Sequence, residues 1–221
     1  MVIASNDSGL ARRKILVLGA TGGTGRLIVA AALARSYDVV ALVRSPEKAR
    51  DLKGATVIAG DARDETTLRN ALEGRDAVIS ALGTAASPFR EVTLLSTATR
   101  ALVGALKTAK VSRLVCITGM GAGDSAGHGG FVFDHLIFPL LLRKVYADKN
   151  RQEAIVRNSD LSWILVRPSI LTDKPGRDTI RSLTELSHFH GGKISRADVA
   201  RFVVDQVNDD TWVHRSPLIT W

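Results

Sequence analysis

Residues 14–34 read K-I-L-V-L-G-A-T-G-G-T-G-R-L-I-V-A-A-A-L-A. Residues 15–18 are a continuous apolar run, the pattern of a parallel strand buried on both faces. Gly19, Gly22 and Gly25 follow at a spacing of three, and the alanine-rich run after them predicts a helix. Each glycine answers a physical need. Gly19 lets the chain turn sharply off the strand, and Gly22 removes a side chain where a pyrophosphate approaches the backbone. Gly25 lets the new helix pack closely on the sheet. The free N–H groups and positive dipole end of that helix then face the phosphates. Strand, triplet and helix in this order supply the context that a bare glycine triplet lacks. A nucleotide-binding turn is expected, with Thr21, Gly23 and Thr24 offering backbone N–H groups and hydroxyls to phosphate.

Downstream, apolar runs and turn signals alternate. Residues 38–43 read as a second strand broken by Arg44, Ser45 and Pro46. A short helix at 47–53 and a third strand at 55–59, ended by Gly60 and Asp61, come next. Residues 64–73 read as helix, 76–81 as a fourth strand, and 88–110 as a long helix opened by Pro88. A fifth strand is expected at 113–118. The stretch 119–130 holds six glycines in twelve residues and predicts a mobile loop. A helix to about Asn158, supported by a Glu153–Arg157 pair, precedes a sixth strand at 161–167 stopped by Pro168. Ser195 to Asp198 reads as a capping box opening a helix, and 217–220 as a last edge strand. This alternation predicts an α/β fold, a Rossmann-type doubly wound parallel sheet with the ligand along one edge. Residues 14–221 form that single domain, with a small substrate-side portion mainly at 119–145 and 168–195. Residues 1–13 are expected to be a loosely ordered tail.

The length of 221 residues suits one such domain. The single cysteine, Cys116, lies in an apolar run without a partner for an internal disulfide, which suits a reducing cytosol. Residues 1–13 contain no apolar core of a secretory signal, so a cytoplasmic location is expected. The most apolar stretch, 131–142, is interrupted by Asp134, His135 and Pro139 and is too short to cross a bilayer. The formal charge is +8, but the cations are scattered, with no basic block and few interleaved aromatics. That balance fits an anionic cofactor and argues against nucleic acid. His188 and His190 share a face with nothing nearby to complete a metal set, so no metal is expected. Monomer and homodimer both stay open.

Four strand ends should meet at the ligand edge, the glycine turn being the first. The second carries Arg44, nineteen residues past Gly25, where an NAD site usually has a carboxylate for the ribose hydroxyls. An arginine suits a 2′-phosphate instead, so NADP(H) is expected over NAD(H). The third is Asp61-Ala62, whose carboxylate either accepts from an adenine amino group or caps the next helix. The fourth runs from Ser80 through Ala81 and Leu82 to Gly83, small enough for ribose and nicotinamide to lie against the backbone. Thr118, beside the expected nicotinamide, either hydrogen-bonds a carbonyl or satisfies local backbone. Tyr146 and Lys149 are three apart on a helix and share a face. A tyrosine beside a lysine can donate a proton at lowered pKa; the alternative is a packed tyrosine and a solvated lysine.

The motifs G-A-T-G-G-T-G at 19–25, L-V-R at 42–44, G-D at 60–61, S-A-L-G at 80–83, V-R-P at 166–168 and I-S-R-A-D-V-A at 194–200 resemble the atypical short-chain dehydrogenase/reductases. More narrowly, the chain resembles the NAD(P)H-binding group that includes biliverdin-IXβ/flavin reductase and the NmrA-like proteins. The resemblance implies phosphate contacts from Thr21, Gly22, Gly23 and Thr24, 2′-phosphate recognition by Arg44 and adenine contact near Asp61. It also implies that Leu82 and Gly83 lie by the ribose and that Thr118 and Pro168 to Ile170 flank the nicotinamide. Two departures stand out. The family pair Y-x-x-x-K is replaced here by Tyr146 with Asn150 four residues on and Lys149 one position early, and Thr118-Gly119 replaces Ser-Ser. Tyrosine-driven alcohol dehydrogenation therefore fits poorly, whereas biliverdin-IXβ-like reductases manage without the pair. The expected function is NADPH-dependent hydride transfer to a small planar conjugated acceptor, a flavin, quinone or tetrapyrrole. Phe131, Phe133 and Phe138 would wall its pocket, gated by the glycine loop; a buried helix or a dimer face is the alternative for that segment. A non-catalytic NADP(H)-binding regulator of NmrA type is the other reading. A sugar-nucleotide epimerase or dehydratase fits less well, because only 54 residues follow Arg167.

Overall fold

The computed structural model describes residues 12–85 and 91–221 and, of Phe133, the backbone alone. In chain order the elements are β1 (Lys14–Leu18), α1 (Gly23–Ala34), β2 (Asp38–Val43), β3 (Thr56–Ala59), α2 (Glu65–Leu72), β4 (Ala77–Ser80), α3 (Leu94–Ala109) and β5 (Arg113–Ile117). A π-helix (Phe133–Leu142) runs directly into α4 (Arg143–Arg157). Then come β6 (Ser162–Pro168), β7 (Ile170–Thr172), β8 (Arg181–Leu183), β9 (Lys193–Ser195), α5 (Arg196–Asp205) and β10 (Leu218–Thr220).

Among the described residues, eight strands form one sheet in the order β3-β2-β1-β4-β5-β6-β10-β8, parallel at every junction except β10–β8. The chain reverses direction across the sheet between β1 and β4, the switch point at which open α/β sheets bind ligands. Successive β1 side chains point to opposite faces. Ile15 and Val17 pack with Ile28 and Val29 of α1 and with Val199 and Val203 of α5; Leu16 and Leu18 pack with Leu68 of α2 and Leu102 and Leu106 of α3. Both faces are covered by helices, which is why the strand reads as unbroken apolar sequence.

Several expectations are corrected. The strand at the C-terminus is not an edge: β10 lies between β6 and the short antiparallel β8. The helix expected at 47–53 is a single 3₁₀ turn, Pro46–Ala49, whose last residue Ala49 drops into the core together with Leu52. The start of the long helix at Pro88 lies outside the described residues. In the structure α3 begins at Leu94, and its first free N–H groups are taken by a distant side chain: Asp148 of α4 accepts from Leu95 N at 2.8 Å and from Ser96 N at 3.4 Å. Of the expected tail, residues 1–11 lie outside the description, and Arg13 is tied in, its carbonyl accepting from Asp38 N at 2.9 Å.

The glycine-rich stretch after β5 differs most. It is packed, with Met120, Ala122 and Ser125 buried, rather than a mobile surface loop. What it covers is an ion pair inside the protein: Glu153 of α4 accepts from Arg167 Nε at 2.9 Å and Nη2 at 2.6 Å. Both residues are almost fully buried. A side chain at Gly123 would sit 2.8 Å from Glu153 Oε2, so only glycine lets the loop lie down here. Arg167 also reaches Asp124 of the same loop. Glu153 and Arg157 do approach at 3.7 Å, but as the outer arm of this buried pair.

Candidate cofactor cleft and acceptor pocket

At Gly19 φ is +75°, and a Cβ would stand 2.7 Å from the Ala81 carbonyl carbon. The turn after β1 therefore presses against the end of β4 in a way only glycine permits. Gly22 N donates to Gly19 O at 3.0 Å, and Gly22 caps α1 through extended backbone with no side-chain oxygen. The first N–H groups of α1 are thus left for a ligand. Arg26 braces the turn, donating to Thr21 O at 3.1 Å while pairing with Asp51.

A cleft of about 560 Å³ follows the C-terminal ends of β2, β1, β4 and β5. Gly19, Thr21, Gly22, Gly23, Thr24 and Gly25 line it, as do Arg44 at the end of β2, Asp61 and Ala62 after β3, and Ala81, Leu82 and Gly83 after β4. Thr118 and Lys149 close its other end. There it joins a smaller cavity of about 220 Å³ lined by Tyr146, Pro168, Ile170 and Met120, the two sharing Ile117, Thr118, Lys149 and Leu171. The sequence-predicted residues are thereby brought to one edge, with Arg44 just past β2 on one side of the glycine turn and Pro168 at the end of β6 on the other.

Asp61 does not cap α2. That is done by Asp64, which accepts from Thr66 N at 3.0 Å and Thr67 N at 3.3 Å. Asp61 instead folds back onto Arg63, accepting from its backbone N at 2.9 Å and its guanidinium. The Arg63 hydrogen bond holds the Asp61 carboxyl down at about 2, against the opposing effect of burial, with Arg44 adding a smaller pull. It is therefore a carboxylate at any neutral pH.

The expected catalytic pair is rearranged. Tyr146 O–H donates to Met120 O at 2.7 Å, and burial pushes its pKa up to about 12, opposite to the lowering expected from a neighbouring lysine. Thr118 Oγ1 donates to Glu153 Oε1 at 2.8 Å, so its hydroxyl is taken by a buried side-chain carboxylate rather than by the local backbone. Lys149 Nζ donates to Thr118 O and lies 4.9 Å from the centre of the Tyr146 ring. Burial pushes Lys149 down to about 8, although Glu153 opposes this. Gly119 makes the space, since a Cβ there would lie 2.9 Å from Nζ. Asn150, in the position where the family pair has lysine, holds the glycine stretch by accepting from Gly123 N at 2.8 Å. Cys116 is buried, and burial pushes its thiol up to about 12, which keeps it protonated and unreactive. Among the described residues, no group of three or more His, Cys, Asp or Glu side chains is arranged to hold a metal.

Of the three phenylalanines, Phe131 faces solvent, 76% exposed and stacked on His135. Phe138 packs on the Tyr146 ring, with centroids 5.0 Å apart. The sequence reading missed Arg196 and Leu171. Arg196 opens α5, lines the cleft and pairs with Asp173 at 2.7 Å, its Nε 3.2 Å from where a Cβ on Gly23 would be. The signal was present in I-S-R-A-D, but its spacing speaks only of the Ser195 cap, which accepts from Asp198 N at 2.9 Å. Nothing local says that α5 lies beside α1.

A strand–glycine turn–helix at the switch point of a 3-2-1-4-5-6 sheet, with a backbone-lined cradle and arginines at Arg44 and Arg196, defines a Rossmann-type dinucleotide-binding protein. A family model described as NAD(P)H-binding matches residues 19–210, and the chain belongs to that family. Among curated relatives it is 26% identical over 209 residues to the uncharacterized sugar epimerase YhfK of Bacillus subtilis, covering 92% of each chain. It is 32% identical over 156 residues to the NAD(P)H azoreductase of Xenophilus azovorans, covering 70% of this chain and 47% of that one. Among solved structures, the anaerobilin reductase ChuY of Escherichia coli O157:H7 superposes with a TM-score of 0.80 at 24% identity, over 94% of this chain and 96% of that one.

Proposed function

We propose that the protein is an NADPH-dependent reductase of a small, flat, conjugated acceptor of flavin, quinone or tetrapyrrole type. The observation that carries this reading is the seam at Ile117, Thr118, Lys149 and Leu171, where the dinucleotide-sized cleft opens into a second, largely apolar cavity. A protein that only sensed a dinucleotide would need the first space alone. Two relatives whose names describe reductases point the same way.

The glycine turn and the N-terminus of α1 would hold the pyrophosphate, with Arg196 beside it, and Arg44 a 2′-phosphate. When bound, the nicotinamide supplies hydride, the hard chemistry being the cofactor's. The chain's own part is to exclude water, orient the acceptor between Ile170 and Tyr146, and supply a proton at Lys149 Nζ. Tyr146 and Thr118 already donate their single hydroxyl protons to Met120 and Glu153, whereas Lys149, which also lines both cavities, carries three N–H donors of which one goes to Thr118 O. Because an acid works only while protonated, turnover should fall as pH rises through about 8, the value to which burial brings Lys149. Lys149→Met should lower turnover by about 10²–10⁴-fold and erase that limb. Tyr146→Phe should cost less than about tenfold, since only its bond to Met120 is lost. A pH–rate profile of each variant checks both outcomes.

Arg44→Ala should weaken NADPH by about 1.5–3 kcal/mol, the scale of a charged hydrogen bond, and spare NADH. Calorimetric titration with both cofactors reads this directly, and equal losses would remove Arg44 from 2′-phosphate recognition. The decisive test of the function is NADPH oxidation at 340 nm against flavin, quinone, tetrapyrrole and aldehyde acceptors. Turnover with a planar acceptor establishes the reductase. Tight NADPH binding with no oxidation across the panel favours the non-catalytic regulator.

A further inference from the structure

The π-helix Phe133–Leu142 and the two residues before it carry six large apolar side chains that stand in water: Phe131, Val132, Leu136, Ile137, Leu140 and Leu141. They fall in pairs four to five residues apart. In a helix whose hydrogen bonds run to i+5, turns are wider than in an α-helix, and this spacing stacks the pairs into one stripe. The inward face is different: Asp134, Phe138 and Leu142 are half buried, and Asp134 accepts from Gly129 N at 3.2 Å. Leu140 is 66% exposed, so the stripe is no rim of a core. A contiguous exposed apolar surface of this kind marks an interaction site. It also stands beside the smaller cavity, since Phe138 packs on Tyr146, which lines that cavity with the exposed Ile170 and Leu171.

We propose that this stripe docks the protein on an anionic lipid bilayer, with the apolar pairs entering the headgroup–acyl boundary and the mouth of the smaller cavity turned toward the lipid. Charge selects this occupant. The chain carries a formal +8, Arg143 and Lys144 follow the stripe directly, and the exposed Lys174 follows the strand that rims the cavity. A second copy would bring another +8 against the first, whereas an anionic surface attracts it. No described helix is long and apolar enough to cross a membrane, so the contact is interfacial. An apolar conjugated acceptor dissolved in the bilayer could then enter without crossing water. The docking itself does not depend on the reductase reading.

The test is co-sedimentation of the full chain with vesicles of phosphatidylglycerol and of phosphatidylcholine, at low and at raised salt. Partitioning to phosphatidylglycerol should exceed that to phosphatidylcholine by roughly tenfold or more and weaken with salt. Leu136→Asp with Leu140→Asp should abolish it while leaving the melting temperature and NADPH affinity of the parent, because both side chains face solvent. Arg143→Glu should weaken it through charge alone. No uptake by anionic vesicles, or equal uptake by the double variant, overturns the proposal. So does a concentration-dependent dimer in sedimentation velocity that the double variant dissolves, since that outcome gives the stripe to a second copy.

Discussion

Replacing Arg167 with methionine should lower stability by about 3–5 kcal/mol, measured as a shift in the urea midpoint. At about 2–4 °C per kcal/mol for a chain of this size, the melting temperature should fall by an easily measured margin. The cost does not come from losing a favourable pair, since a buried pair nearly cancels its own desolvation. It comes from stranding what is left. Glu153 would be left in the interior with Thr118 and, at 3.7 Å, Arg157 as its remaining partners, and the glycine stretch would lose the hold that Arg167 has on Asp124. A matched variant isolates this: Arg167→Met with Glu153→Leu removes both charges and should recover most of the loss. If the double variant is no more stable than Arg167→Met alone, the stranded carboxylate is not the cause. Function should suffer as well, because Glu153 fixes Thr118 and faces Lys149 across the seam of the two cavities.

The parts of this molecule legible in the sequence are those encoded locally. Residues 15–18 announce a strand covered on both sides, and Gly19 to Gly25 announce the turn, because strand burial and backbone clearance are settled within a dozen residues. The parallel, doubly wound character of the sheet follows from alternation and handedness, but the place of β10 inside it does not. What was not legible depends on residues far apart in the chain. Six glycines after β5 read as freedom when taken alone; in the fold Gly123 lets the stretch lie against the buried pair of Arg167 and Glu153, while Gly119 and Gly121 make room for Lys149 and Tyr146. The start of α3 is set by Asp148, more than fifty residues away. Lys149 three residues after Tyr146 suggested a lowered tyrosine pKa, but burial raises the phenol and lowers the lysine, so the roles of donor and neighbour exchange. Asp61 and Asp64 compete for the same cap, and spacing does not say that Arg63 claims the first.

Gly25→Ala should reduce NADPH affinity by about ten- to a hundredfold, the scale of losing a hydrogen bond to a charged phosphate. The added methyl would lie 2.8 Å from the Gly19 carbonyl carbon and 2.9 Å from Ala20 Cα. Both are backbone atoms, so no side chain can swing aside. Either α1 slides away from the turn, or Gly19 rotates out of the conformation that lets it meet Ala81. In both cases the free N–H groups of Gly23 and Thr24 no longer converge on one point, and convergence is what lets a helix N-terminus hold a phosphate. Gly83→Ala makes the contrast, since it lines the same cleft yet an added Cβ there meets nothing within 4 Å. That variant should melt with the parent, whereas Gly25→Ala should melt lower. Titration with NADPH and with ADP-ribose separates the causes: both ligands carry the pyrophosphate, so Gly25→Ala should weaken them by the same factor. Unchanged binding of either would place the pyrophosphate away from the glycine turn, and with it the whole assignment of the cleft.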